Sequence, residues 1–81
     1  MTDTEKKILV ILQSLNENIP DDVSGNLLSD GYVDSFDIVT IVSELEEEFC
    51  IEIEPEDIIP ENFDNVENIA KLVLKEKDKN E

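Results

Sequence analysis

The sequence predicts an all-α fold, a four-helix bundle with three longer helices and a short third one, and three observations carry that expectation. Apolar residues recur at three- and four-residue spacing in three separate stretches: Ile8 to Leu15, Ile38 to Phe49 and Val66 to Val73. Proline and glycine fall between these stretches, at Pro20, Gly25, Gly31, Pro55 and Pro60. The one alternating stretch, Cys50 to Glu54, has no second convincing strand to pair with. Each helical stripe can bury itself only against another, which is the logic of a bundle. With 81 residues the chain reads as a single domain over 1–81, with an ordered core of about 4–76 and a hydrophobic interior of modest size.

The first helix is expected over Thr4 to Leu15, because Ile8, Ile11, Leu12 and Leu15 share one face. Asn18, Pro20, Asp21, Asp22, Ser24 and Gly25 break that pattern and open a long loop. Val23, Leu27 and Leu28 are its expected anchors on the core. Loops longer than about a dozen residues are usually functional or disordered, and this one leads straight to Asp34 and Ser35.

Gly31 permits a turn, and Asp34 or Ser35 can supply the side-chain oxygen that caps the second helix, expected from about Ser35 to Phe49. Ile38, Ile41, Val42, Leu45 and Phe49 form its inner face. Ile51 and Ile53 are expected to insert into the core from an extended connector. Pro55, with Glu56 and Asp57 behind it, starts the short third helix, which Pro60 ends. Ile58 and Ile59 are expected to close the core on that side. Asp64 and Asn65 cap the fourth helix, whose Val66, Ile69, Ala70 and Val73 repeat at helical spacing. Lys71, Lys75 and Lys77 suit the negative end of its dipole, and the last residues are expected to fray.

Composition narrows the function. The formal charge is −16, and all six basic residues are lysines near the ends, while residues 8–70 hold 17 of the 22 acids and no base. Such a surface repels nucleic acid and anionic lipid and attracts basic protein patches. No apolar run is long enough to span a bilayer and the N-terminus is not signal-like, so a cytoplasmic monomer without membrane insertion is expected. One cysteine, Cys50, excludes an internal disulfide and agrees with a reducing compartment. With no histidine, the commonest general base and metal ligand is missing. Cys50 has no base or cation beside it in sequence and reads as a structural thiol rather than a nucleophile.

Ser35 is the residue on which function turns. It stands at a helix N-terminus, where partial positive charge and free backbone donors would favour an anion attached to its hydroxyl. Asp34-Ser35-Phe36, followed by the apolar helix Ile38 to Phe49, resembles the acyl carrier protein family, whose signature is Asp-Ser-Leu at the head of such a helix. The likeness runs from about Lys7 to Leu74 and includes Ile51-Glu52-Ile53 and the final amphipathic helix. It implies 4′-phosphopantetheine, derived from coenzyme A, attached to Ser35 as a phosphodiester, and a non-enzymatic carrier that holds acyl or aminoacyl groups as thioesters. It also implies a phosphopantetheinyl transferase as a partner, positioned with its metal by Asp34, and an acyl- or aminoacyl-activating ligase with downstream synthases or transferases. Phe36 in place of leucine, Thr40 where fatty-acid carriers commonly have an acid, and Pro60-Glu61-Asn62-Phe63 look more like stand-alone carriers serving amino-acid ligases, D-alanyl carriers among them. Fatty-acid and secondary-metabolite pathways remain open, as does a pocket near Ile38, Ile58 and Ile59 for an acyl chain.

The outer face of the second helix is the expected docking surface for basic patches on those partners. It comprises Asp34, Phe36, Asp37, Val39, Thr40, Ser43, Glu46 and Glu47, with Phe36 either an exposed anchor or folded over the helix end. Three other readings compete. A calcium loop starting at Asn26 would place Asp30, Gly31, Asp34 and Asp37 at ligand or turn positions, but Leu28 offers no oxygen and Asp37 is shorter than the bidentate glutamate, so no specific metal site is expected. An acidic interaction module without cofactor would use Asp34-Ser35 purely as a cap. An enzyme would need residue types other than crowded carboxylates, and none is in view.

Overall fold

The computed structural model describes residues 1–23 and 26–79. The expected loop breakers Ser24 and Gly25, and the end of the expected fray, Asn80 and Glu81, lie outside the described residues. Three α-helices, α1 (Asp3–Leu15), α2 (Ser35–Phe49) and α3 (Val66–Lys79), pack pairwise around one core. The described residues contain no strand, and no helix is long and apolar enough to cross a membrane.

Helix α1 begins one residue earlier than the apolar pattern suggests, because Thr2 and Glu5 close a reciprocal cap. Glu5 N–H donates to Thr2 Oγ1 at 3.1 Å, and Thr2 N–H donates to Glu5 Oε1 at 2.9 Å. Ile8, Ile11 and Leu12 are buried as their spacing predicts, Leu9 widens the stripe, and Leu15 is only half-buried.

The long loop is tied down by hydrogen bonds rather than regular structure. Leu27 is fully buried, and its carbonyl accepts from Tyr32 N–H at 2.9 Å and Val33 N–H at 3.2 Å, closing the turn in which Gly31 takes φ +80°. Leu27 N–H donates to the Asp64 carbonyl at 2.6 Å, linking this turn to the approach of α3. Val23 and Leu28 pack on the core as partly buried anchors, but Ile19 and Val33 are more deeply buried.

The expected short third helix takes the form of two 3₁₀ turns, Pro55–Asp57 and Pro60–Phe63. Pro60 restricts the residue before it to extended backbone, and Ile59 sits at φ −124°, ψ 151°, so no helix can propagate through it. Ile58 and Ile59 consequently do not close the core as expected: they are 37% and 40% exposed, set outward between the two turns. Phe63, fully buried, fills that side instead. Asp64 does not cap α3 with its side chain; Asn65 does, its Oδ1 accepting from Asn68 N–H at 2.8 Å. Ile51 and Ile53 enter the core from an extended connector as expected.

Candidate functional site

The head of α2 falls where the sequence places it, and the structure decides which residue caps it. Asp34 Oδ1 accepts from both Phe36 N–H and Asp37 N–H at 2.9 Å, and Asp37 Oδ2 accepts from Asp34 N–H at 3.0 Å. Ser35 is therefore the first helical residue rather than the cap. Its side chain is exposed, and its hydroxyl is not tied into any hydrogen bond among the described residues. An accessible primary hydroxyl at a rigid helix end is chemically suited to carry a phosphate ester.

The same geometry corrects the electrostatic expectation for that ester. Three of the backbone donors at this helix end are taken, those of Phe36 and Asp37 by Asp34 and that of Asp34 by Asp37, and Asp34 and Asp37 place two carboxyl side chains around the serine. Helix polarity thus stabilises the cap rather than waiting for an external anion. A covalent bond to Ser35, not anion binding, would have to hold a phosphate here.

What precedes Ser35 is fixed from α1. Asn16, at the end of α1, donates from Nδ2 to the Tyr32 carbonyl at 2.9 Å, and Val33 is buried to 3% exposure. The serine is thereby carried on a segment pinned at both sides, by Asn16 and Val33 before it and by the Asp34 cap after it. Asn16 was not legible as a site residue, because its partner lies sixteen positions away.

Along the outer face of α2, Phe36 is 85% exposed and Val39 66% exposed, and Thr40, Ser43, Glu44, Glu47 and Glu48 are also exposed. Phe36 does not fold over the helix end. Glu46 stands apart from this group. It is half-buried, and its Oε2 accepts from Ile53 N–H at 2.9 Å, holding the connector onto the helix. Asp34 and Asp37 likewise serve the cap. The far end of α2 closes on Cys50, in the left-handed conformation at φ 54° and exposed, while Lys7 and Lys77 place their ammonium groups 5.9 and 5.8 Å from the Phe49 ring.

Clefts occur elsewhere. One of about 380 Å³ opens beside Met1, Glu5, Val23 and Asn65, and a shallower one of about 250 Å³ runs over Ile11 between Glu44, Glu47 and Glu48. Neither is lined by Ser35, Ile58 or Ile59. Of the alternative calcium loop, Asp34 and Asp37 are committed to capping each other's backbone, and among the described residues no group of three or more carboxylate, thiol or imidazole side chains is arranged to hold a metal.

Comparison with protein-family models gives a match over residues 6–73 to the family described as "Phosphopantetheine attachment site". Comparisons with curated proteins and with solved structures gave no match. The matched span takes in all of α2, α1 from Lys6 onward and α3 up to Val73. With an all-helical fold and an exposed serine at the head of its central helix, the chain belongs to the phosphopantetheine-attachment family, whose carrier domains bear covalently bound 4′-phosphopantetheine.

Proposed function

We propose that this chain is an acyl or aminoacyl carrier that takes 4′-phosphopantetheine on Ser35 Oγ and presents substrate to partner enzymes. The observation that carries the reading is the division of labour at the head of α2: Asp34 does the capping, so the Ser35 hydroxyl is exposed and unengaged. When attached, the phosphopantetheine arm supplies a terminal thiol on which substrate is held as a thioester. The chain's own residues do the rest. The cap and the Asn16 tie hold the serine in one place, the Ser35 hydroxyl gives up its proton as its oxygen bonds the phosphopantetheine phosphorus and the pyrophosphate bond of coenzyme A breaks, releasing adenosine 3′,5′-bisphosphate, and α2 offers a surface on which enzymes seat themselves.

Phe36 and Val39 are the apolar anchors of that surface, with Thr40, Ser43 and Glu47 beside them and Glu44 and Glu48 supplying further charge. Asp34 and Asp37 contribute their charge next to the serine, and Glu46 contributes while also bonding to Ile53. The partners are a phosphopantetheinyl transferase, an activating ligase and downstream synthases or transferases carrying basic patches. The chain works as one monomeric carrier unit, cytoplasmic in keeping with its single cysteine and acidic surface.

Incubation with coenzyme A and a broad-specificity phosphopantetheinyl transferase should add the mass of one phosphopantetheine to the wild-type chain. Ser35→Ala should retain the helical circular dichroism spectrum and show no added mass. An unmodified wild-type protein, or a modified Ser35→Ala variant, would overturn the assignment.

A further inference from the structure

Glu76, on α3, is 2% exposed and is the one buried charged residue among the described residues. A carboxylate taken out of water stays ionised only if a full set of donors meets it; otherwise it takes up a proton. That set is absent here. Glu76 Oε1 has no hydrogen-bond donor, and the Lys79 ammonium stands 3.8 Å away. Asp57, the last residue of the first 3₁₀ turn, belongs to the same cluster: its Oδ1 accepts at 3.1 Å from Lys75 Nζ, one residue before Glu76 on α3. Asp57 Oδ2 is buried and has no donor either. Two buried carboxyl oxygens of one cluster thus lack a donor, and a proton held between Glu76 and Asp57 would satisfy both.

We propose that Glu76 and Asp57 share one proton, that this proton clasps the Pro55–Asp57 turn onto α3, and that the clasp opens as pH rises. The surrounding charges favour this arrangement. Glu54, preceding the turn, pairs with Lys79 at 3.4 Å, and with Glu56, Asp57 and Glu76 it sets four carboxyl groups against two ammonium groups, Lys75 and Lys79. Losing the shared proton adds a further negative charge to a group already in excess.

The titration behaviour runs the same way. Burial first, and then the hydrogen bond to Asp57, push the Glu76 carboxyl above the usual glutamate range. The Lys75 hydrogen bond holds Asp57 below its own usual range. A carboxyl raised in the fold stabilises it fully when the pH is below the unfolded value, and that contribution is lost as pH climbs through the raised value. Asp57 acts oppositely, contributing above its unfolded value and failing only in stronger acid. Between these limits the pair holds one proton.

Opening the clasp would release the turn that carries the Asp57 N–H to Glu54 carbonyl bond and the Ile58 N–H to Pro55 carbonyl bond, together with the outward-facing Ile58 and Ile59. Glu76→Gln mimics the protonated state, because its amide can donate where the proton sat. Thermal melts of the full chain at pH 5 and pH 8 should show wild type losing more stability over that range than Glu76→Gln. An exposed control of equal charge change, Glu61→Gln, should keep the wild-type slope. Amide exchange at Asp57 and Ile58, corrected for intrinsic rate, should accelerate several-fold from pH 5 to pH 8 in wild type and not in Glu76→Gln. Carbon-13 titration of the Glu76 carboxyl in the unaltered protein provides a reading independent of any variant's folding. A midpoint above the usual glutamate range supports the shared proton; an ordinary midpoint, or a Glu76→Gln melt with the wild-type pH slope, overturns it.

Discussion

Single residues decide the chemistry at the head of α2. Asp34 meets two backbone N–H groups with one oxygen, and that leaves Ser35 unengaged. Removing the cap by Asp34→Ala should therefore destabilise the chain by about 1–2 kcal/mol in urea unfolding. Asp34→Asn keeps an acceptor and should lose much less, so the two variants separate capping from charge. If both are modified by the transferase equally poorly, charge matters to recognition; if only Asp34→Ala is impaired, helix-end order is what the transferase needs. Cys50 shows the opposite kind of residue-level choice. It occupies a left-handed helix end where glycine carries no side-chain penalty, and its exposed side chain contributes no buried packing in return.

At the scale of the element, α2 separates two faces with different work. Its inner side, from Ile38 to Phe49, is locked into the core, and its outer side holds Phe36 and Val39 among exposed acids. Charge on that outer side should govern encounter, because several screened ion pairs of about 0.2–1 kcal/mol act together over a Debye length near 10 Å. Glu47→Lys, which breaks no internal hydrogen bond, should slow transferase modification through association, with the defect shrinking as salt is added. Phe36→Ala should instead raise the dissociation rate with little salt dependence, as measured by surface binding kinetics. Glu46 is unsuitable for this comparison, since its replacement also frees Ile53 N–H. A Glu47→Lys variant that reacts like wild type at every ionic strength would reduce the acidic face to solvated surface.

Over the whole molecule, stability rests on a small core shared by all three helices, the loop and the connector. Phe63 is fully buried although it lies in a 3₁₀ turn, and it packs against α3 while closing the side left open by Ile58 and Ile59. Phe63→Ala should cost about 3–5 kcal/mol. That is a large part of the 5–15 kcal/mol typical of a domain, so the variant should be substantially unfolded at 37 °C by circular dichroism. Retention of the wild-type melting temperature would show that the region around the two turns is not part of the cooperative unit.

The sequence by itself determined the three long helices and their buried faces, since apolar spacing within a helix is a local property and α2 runs over the very residues expected, Ser35–Phe49. It also pointed to the family whose model matches residues 6–73, because the Asp34-Ser35-Phe36 head and its helix are contiguous in the chain. Tertiary structure alone decided what depends on residues distant in sequence or on competing local choices. Whether Asp34 or Ser35 caps α2 turned on a one-residue difference that periodicity cannot resolve, and the folded helix end makes Asp34 the acceptor. Ile58 and Ile59 looked like core by composition, yet two prolines five residues apart break the helix and turn them outward. Glu76 had every sequence mark of a surface residue among lysines, and only the folded chain took it out of water. The Asn16 tie to Tyr32 and the Leu27 tie to Asp64 span 16 and 37 positions, distances over which a chain's local pattern carries no information about which groups meet.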